Sequence, residues 1–294
     1  MMPSSDQEAL IAVQNYYSTL ESRLGYRLVL GGTRHFGYYD VDTYWPFPID
    51  GALRAMEDRL FDSLGLKSGA KVLDAGCGVG HVAINMARRG LRVQGIDVVN
   101  HHIQKAQRNI KRRGLDGSVA FRKMDYHHLD GFEDESFDGV YTMETFVHAR
   151  DPEAAAREFF RVLKPGGSIA LHEYDHVDLN VVPDGAKIAM EQVNKYAAMP
   201  ALDRFGPGVI QRILEEVGFQ EVVVEDLTIN VTPMLRLFFI LAYIPYLFVR
   251  LFHLEAWFVN TMAGVEGYRK RHLGRYVAVS GRKPSDSRLG NNIQ

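Results

Sequence analysis

From Lys71 onward the chain alternates short apolar runs of strand character with longer runs of helical spacing, and this alternation constrains the fold more than any other feature. The strand-like runs are 71–75 (KVLDA), 91–96 (LRVQGI), 118–123 (SVAFRK), 137–142 (FDGVYT), 168–173 (SIALHE), 220–226 (QEVVVED) and 275–282 (RYVAVSGR). Helical runs fall at 80–89, 100–113, 152–163 and 206–217, the last closed by Gly218 as a terminating glycine. Strands joined through helices predict βαβ units, and hence an α/β fold with a parallel sheet covered on both faces. Ligands of such sheets bind beyond the carboxyl ends of the strands, so chemistry is expected in the loops after the first five.

The chain has 294 residues, more than this sheet needs. Helical apolar spacing at 6–24 and 49–66 flanks an aromatic, glycine-rich stretch, GGTRHFGYYDVDTYWPFP. Thirty-four basic and 36 acidic side chains give a net charge of -2, which supplies no global basic field and predicts no nucleic-acid partner. The single cysteine, Cys77, makes neither an internal disulfide nor a thiolate zinc site. The opening MMPSSDQEALIAV lacks the basic and apolar regions of a secretory signal, so a reduced, cytoplasmic setting is expected. The polar tail 285–294 is expected to fray.

Strand 71–75 runs into Asp74-Ala-Gly76-Cys77-Gly78-Val79-Gly80 and then a helix. Glycines here let the backbone approach a ligand at a helix N-terminus. Asp74, two residues before the first glycine, would repel a pyrophosphate and attract an ammonium or sulfonium. His81 stands where the dinucleotide fingerprint has its third glycine. Asp97 closes the second strand, where a carboxylate can accept both hydroxyls of a ribose. Asp125 closes the third and is followed by Tyr126, a pair suited to an exocyclic amine and a ring face.

VLDAGCGVG (72–80), GIDVV (95–99), KMDYHHL (123–129), FDGVYTMETFVHA (137–149) and LKPGG (163–167) resemble, in order, the motifs of class I S-adenosylmethionine-dependent methyltransferases. The resemblance covers about residues 60–175. It implies a Rossmann-like, seven-stranded, mostly parallel sheet with an antiparallel last strand, and S-adenosyl-L-methionine as cofactor. It also implies that Asp74, Gly76, Cys77 and Gly78 line the methionine portion, and that Asp97 and Val98 hold the ribose. Asp125 and Tyr126 fall to the adenine, and Met143 and Glu144 to the sulfonium border. Apart from the resemblance, Tyr38 and Tyr39 stand in a glycine-flanked loop and are expected to close over the cofactor. More loosely the chain is similar to the sterol and tocopherol methyltransferase branch, through HFGYYD (35–40) and LHEYDH after the fifth strand. The aromatic-glycine motif of sterol C-methylation is replaced here by GGTRHFGYY.

If the acceptor is a hydroxyl or enol, a general base is needed at the strand edge. His148 and Glu173 are the first candidates, with His176 beside them; His172 and Asp175 lie in the same stretch. Neighbouring residues point apart, so His101-His102 and His127-His128 read as solvated positions and no metal is expected. Between the sixth and seventh strands, 228–274 contains Leu237–Val249 (LFFILAYIPYLFV), thirteen uncharged residues bounded by Arg236 and Arg250. As a helix this run spans roughly 20 Å, short of the roughly 30 Å of hydrocarbon in a bilayer. Pro245 is expected to interrupt or kink it. A membrane span is therefore not predicted; a buried helix pair, a lid over an apolar acceptor and a face that dips into a membrane remain. A lid and wall for a greasy acceptor, contributed by Phe239, Tyr243 and Tyr246, best accounts for the excess of apolar surface. Tyr17, His35, Tyr39, Trp45 and Tyr174 are expected to supply the opposite wall.

These readings assemble into one domain: an N-terminal helical cap (1–65), a cofactor-binding core (66–227), an apolar insertion (228–274), the last strand (275–284) and the tail (285–294). The expected activity is O-methylation of a hydroxyl or enol of a lipophilic secondary metabolite, a polyketide or terpenoid. C-methylation of a sterol, alkene or phenolic ring is the first alternative. A cofactor-bound protein that methylates nothing and serves as scaffold or cyclisation catalyst is the second. The expected partner is a lipophilic small molecule, with peripheral membrane contact and a homodimer left open.

Overall fold

The structure, a computed structural model, describes residues 5–19, 21, 25, 28–178, 180 and 182–285. Part of the expected 6–24 helix and all but the first residue of the tail lie outside them. The seven expected strands are present as β1 (Lys71–Ala75), β2 (Arg92–Asp97), β3 (Val119–Lys123), β4 (Phe137–Met143), β5 (Leu163–His176), β6 (Gln220–Asp226) and β7 (Gly274–Arg282). They form one sheet in the order β3-β2-β1-β4-β5-β7-β6. Parallel ladders join β3, β2, β1, β4 and β5, with Leu73 opposite both Gln94 and Val140. The strand order therefore turns back at β1 and β4, which places the ligand edge at the end of β1. The last strand is antiparallel to β5. Gly166 N donates to Lys283 O at one end and Val177 N to Leu273 O at the other, so residue numbers rise on one strand as they fall on its neighbour.

β5 begins at Leu163, five residues before the apolar pattern does. The LKPGG turn is drawn into the ladder by a register shift opposite Phe137 and Gly139, an irregularity that simple alternation does not reveal. The helices are α1 (Ser5–Ser18), α2 (Ile49–Leu64), α3 (His81–Arg88), α4 (Asn100–Lys111), α5 (Pro152–Val162), α6 (Asp184–Tyr196), α7 (Val209–Val217), α8 (Thr228–Leu251) and α9 (Val259–Arg269). The spacing does not predict α6. The best-capped start is that of α5: Asp151 accepts from Ala154 N at 2.8 Å and Pro152 occupies the first turn, where a missing N–H costs nothing. Gly218 closes α7 at φ 115°, as its position predicts.

The chain divides into two compact units. One holds Glu57–Glu173, Gly208–Glu225 and Ala278–Gln294. Its core is the buried centre of the sheet, with Leu73, Ile96, Tyr141 and Ile169 on the strands and Met86, Ala155 and Phe159 on the helices. The other unit holds Met1–Met56, Tyr174–Pro207 and Asp226–Val277. There the HFGYYD segment packs on α2 and α8. Tyr38 N donates to Ala52 O at 2.9 Å, Tyr39 N donates to Asn230 O at 3.1 Å, and Asn230 Nδ2 returns a bond to Tyr39 O at 2.8 Å. A Cβ on Gly37 would lie 2.7 Å from that of Ala52, so glycine is what allows this approach. Glu21 gathers the N-terminus of α9 through Asn260 N, Thr261 N and Thr261 Oγ1, a carboxylate on the positive end of a helix.

The expectation for 237–249 is corrected. α8 is 24 residues long and continues through Pro233 and Pro245. By length and composition it is long and apolar enough to cross a membrane, and only 22% of its apolar window is buried in the protein. Each proline deletes one backbone bond; next to Pro245, Tyr246 and Val249 pack with Met262 and Val265 of α9.

Candidate functional site

The loop after β1 takes its shape from glycine. Gly76, Gly78 and Gly80 have φ of 104°, 51° and 82°, the left-handed region where a side chain is strained. A Cβ on Gly76 would also lie 2.5 Å from Thr145 Oγ1, whereas one on Gly78 would meet open space. The amides of Gly76 and Cys77 both donate to Ile96 O at 2.9 Å, which ties the loop to the end of β2. Thr145 Oγ1 donates to Ala75 O at 2.7 Å and ties it to the loop after β4.

Asp97 stands at the centre of the edge. Its carboxylate accepts from Gly78 N at 2.9 Å and Val99 N at 2.7 Å, and pairs with His102 Nδ1 at 3.2 Å. Burial pushes the carboxyl up, but His102 and the two amides outweigh it and hold Asp97 below the usual carboxylate range. Asp125 is built alike: it accepts from His127 N at 2.9 Å and Arg150 at 2.8 Å, and pairs with His127 Nδ1 at 2.6 Å. Those partners overcome burial and leave it well below the ordinary range. The reading of both histidine pairs as solvated is corrected here: His102 and His127 are buried, each against a carboxylate of the edge. Of their neighbours, His128 is exposed, whereas His101 is half-buried with its ring edge-on to that of His102 at 4.6 Å. A histidine close to a strand-end aspartate was the available signal. Arg150 and Thr145 carried none.

Asp74 has the opposite environment. It is buried, and burial pushes it up to about 8, with the Tyr141 hydroxyl working against that and the charge of Asp97 adding to it. Burial and the two aspartates likewise raise the Cys77 thiol. Tyr126 donates its hydroxyl to Thr145 O at 3.1 Å and sets its ring edge-on to Phe159. Met143, the last residue of β4, and Glu144 after it are buried, and Glu144 takes φ 57°, an uncommon conformation for glutamate. Val98, between Asp97 and Val99, is half-buried.

Glu173 is fully buried on β5. It accepts from Thr142 Oγ1 at 2.6 Å, Thr145 N at 3.0 Å, Phe146 N at 2.8 Å and Val147 N at 3.3 Å. One carboxylate thus holds the whole turn that carries His148, and burial still pushes it up to about 7. His148 is half-buried at the end of that turn, while His172 is fully buried. In the other unit, His176 is buried with Nδ1 2.6 Å from Val177 O, and His35 with Nδ1 2.8 Å from Phe36 O. Asp175 pairs with Arg275 at 2.8 Å.

The aromatic candidates of that unit fall into separate groups. Tyr174 meets Phe36 and Tyr276 edge-on, and Tyr39 is buried with its hydroxyl on Pro46 O. Tyr38 is half-buried. Tyr17 lies under the Arg34 guanidinium at 4.8 Å, and Trp45 is exposed against Tyr44. Phe239, Tyr243 and Tyr246 are engaged between α8 and α9. Phe239 packs on Tyr243 and Tyr268, and Tyr246 donates to Glu266 at 2.6 Å.

The raised carboxyls carry a pH prediction. Free aspartate and glutamate titrate near ~4, so between about pH 4.5 and 7 the folded chain keeps protons that the unfolded chain has released. Stability of the ligand-free protein therefore falls as pH rises through that window. Asp97 and Asp125 act in the other sense, but only below about pH 4. Thermal melts across pH 4.5 to 7.5 read this, and Asp74→Asn should flatten the slope; a midpoint that climbs steadily with pH would refute it.

A family model described as a methyltransferase domain matches residues 73–171. Over 285 residues the chain is 40% identical to the S-adenosyl-L-methionine-dependent Diels-Alderase iccD of Talaromyces variabilis, covering 96% of this chain and 98% of that one. Over 224 residues it is 33% identical to sterol 24-C-methyltransferase ERG6 of Saccharomyces cerevisiae, covering 74% of this chain and 55% of the other. Among solved structures, that of the 4+2 cyclase SpnF matches 96% of this chain and 98% of its own at 24% identity with a TM-score of 0.74, a likeness of fold.

Proposed function

The chain belongs to the class I S-adenosylmethionine-dependent methyltransferase family, near its sterol branch, and we propose that it is a cyclisation catalyst that retains S-adenosylmethionine as a fixed part of its site. The observation that carries this reading is the near full-length identity to a Diels-Alderase. The reaction proposed is an intramolecular Diels–Alder closure of a lipophilic acyclic precursor. Such a step moves no proton and loses no atom, so the protein's tasks are to fold the chain of the substrate and polarise its electron-poor alkene. The arrangement around Glu173 is compatible with that. Its carboxylate is spent on four donors, so it offers an acceptor hydroxyl no ready base.

The residues present fit the cofactor. Gly78 leaves open space for it, Asp97 has a charged carboxylate aimed from the end of β2, and the ammonium of a bound cofactor would draw the buried Asp74 carboxyl, raised in its absence, back to its charged form. In the proposed assignment Asp74, Gly76, Cys77 and Gly78 hold the methionine portion, Asp97 and Val98 the ribose, and Asp125 and Tyr126 the adenine. Met143 and Glu144 complete it. The bound cofactor supplies a fixed positive charge and surface. Tyr17, His35, Tyr39, Trp45 and Tyr174 are the proposed substrate contacts. Methyl transfer to oxygen or carbon is the second reading, favoured by the sterol methyltransferase relative; His148 and His176 are then the candidate bases.

Deleting the gene in its host separates the two. A cyclase leaves an acyclic compound of the same mass as the lost product; a methyltransferase leaves one lighter by a methylene. Adding the purified protein with S-adenosylmethionine should convert the first compound with no S-adenosylhomocysteine formed. Stoichiometric S-adenosylhomocysteine would overturn the cyclase reading.

A further inference from the structure

α8 buries one face and exposes the other. Tyr246 and Val249 face α9, whereas Ile240, Leu241, Ile244, Leu247, Phe248 and Leu251 recur at three- and four-residue steps on the opposite side. Ile244 is 61%, Phe248 60% and Leu251 68% exposed, and Trp257, just beyond the helix, is 74% exposed. Large apolar side chains in an unbroken row are unlike the scattered ones of an ordinary surface. From this face we infer that the protein docks on the surface of an anionic lipid bilayer, with α8 lying in the headgroup boundary. This goes beyond the proposed reaction and does not rest on it.

Charge selects the occupant. The segment 228–274 carries Arg236, Arg250, Arg269, Lys270 and Arg271 against Glu255 and Glu266, so it is basic within a chain of net charge -2. A second copy would set this basic segment against itself, whereas anionic headgroups complement it. Exposed Phe252 and Trp257 follow the end of α8 within seven residues of Arg250, so the segment carries both the rings and the cation that suit the boundary between headgroup and acyl chain. The helix lies on the bilayer and does not cross it. Asn230 is buried and bonded to Tyr39 at the start of α8, and Tyr246 is bonded to Glu266 of α9 near its end. Crossing would break both and carry Asn230 and Arg236 into hydrocarbon.

Flotation of the full-length protein with vesicles of phosphatidylcholine alone, or mixed with phosphatidylserine, tests this. The expected result is binding to the mixed vesicles that salt weakens. In a Trp45→Phe background, which leaves Trp257 as the sole tryptophan, emission should shift to the blue on the same vesicles. Ile244→Glu with Phe248→Glu should weaken binding roughly tenfold or more, with the melting temperature unchanged. Trp257→Ala, in an exposed position, serves if the double variant does not fold. Absence of binding, or binding that neither variant weakens, overturns the proposal. So does a concentration-dependent dimer that the double variant abolishes, which would assign the face to self-association. Equal binding to both vesicle types overturns the choice of an anionic surface.

Discussion

Replacing Asp97 with alanine is expected to weaken S-adenosylhomocysteine binding by about 100-fold or more in isothermal calorimetry. A charged acceptor that serves two hydroxyls contributes roughly 3 kcal/mol, at ~1.5 kcal/mol or more for each bond, and each ~1.4 kcal/mol is tenfold. The side chain also orders its own surroundings, because Gly78 N, Val99 N and His102 lose their acceptor with it. Asp97→Asn preserves the shape and removes the charge, so it should fall between wild type and alanine. An affinity within a factor of three of wild type for Asp97→Ala would remove Asp97 from the proposed ribose contact. The assignment of the β2 end as the centre of the site would go with it.

The second large effect is at Glu173. Alanine there leaves the Thr142 hydroxyl and three backbone amides buried without their acceptor. Losing one partner of such a charged, buried network costs about 3–5 kcal/mol. The melting temperature should drop by roughly 5–10 °C. Cofactor affinity should fall too, since the released turn holds Thr145, which spans to Ala75 beside Gly76. Glu173→Gln keeps an oxygen for the three donors on Oε1 and loses only the bond from Val147, so most stability should return. Calorimetric melts and cofactor titrations of both variants decide the role. If Glu173→Gln keeps its fold and its cofactor but abolishes turnover, the carboxylate acts on the substrate, as a strand-edge base would. If Glu173→Ala melts with wild type, the carboxylate does not hold the turn.

Strands were legible because each joins an apolar run to a turn signal within a few residues. The carboxylates of the site were legible for a related reason: Asp97 follows the last residues of a strand pattern and Asp74 precedes the glycines by a constant step. The histidines beside them were not. His102 and His127 look like their neighbours His101 and His128 in sequence, and only the tertiary fold decides that His102 and His127 are buried while His101 is half-buried and His128 exposed. Glu173 shows the same limit. A carboxylate at a strand end suits a base, a ligand or an anchor equally well, and the amides it meets come from a turn 26 to 28 residues away in the chain.

The apolar insertion gives the clearest division. Its composition determined by itself that a long hydrophobic element stands between β6 and β7. Which of its residues face inward depended on α9, because a helix apolar all round has no preferred face until another element covers one. Thus α8 extended beyond its thirteen-residue core and through two prolines, the aromatic residues Phe239, Tyr243 and Tyr246 turned to α9, and Ile244, Phe248 and Leu251 were left outside. Sequence alone determined the alternating sheet, the glycine turn and the acids at its edge, since these follow from local periodicity and backbone sterics. Tertiary structure decided which side chains those acids meet and which apolar face is covered, because burial and hydrogen bonding are settled by residues distant in the chain.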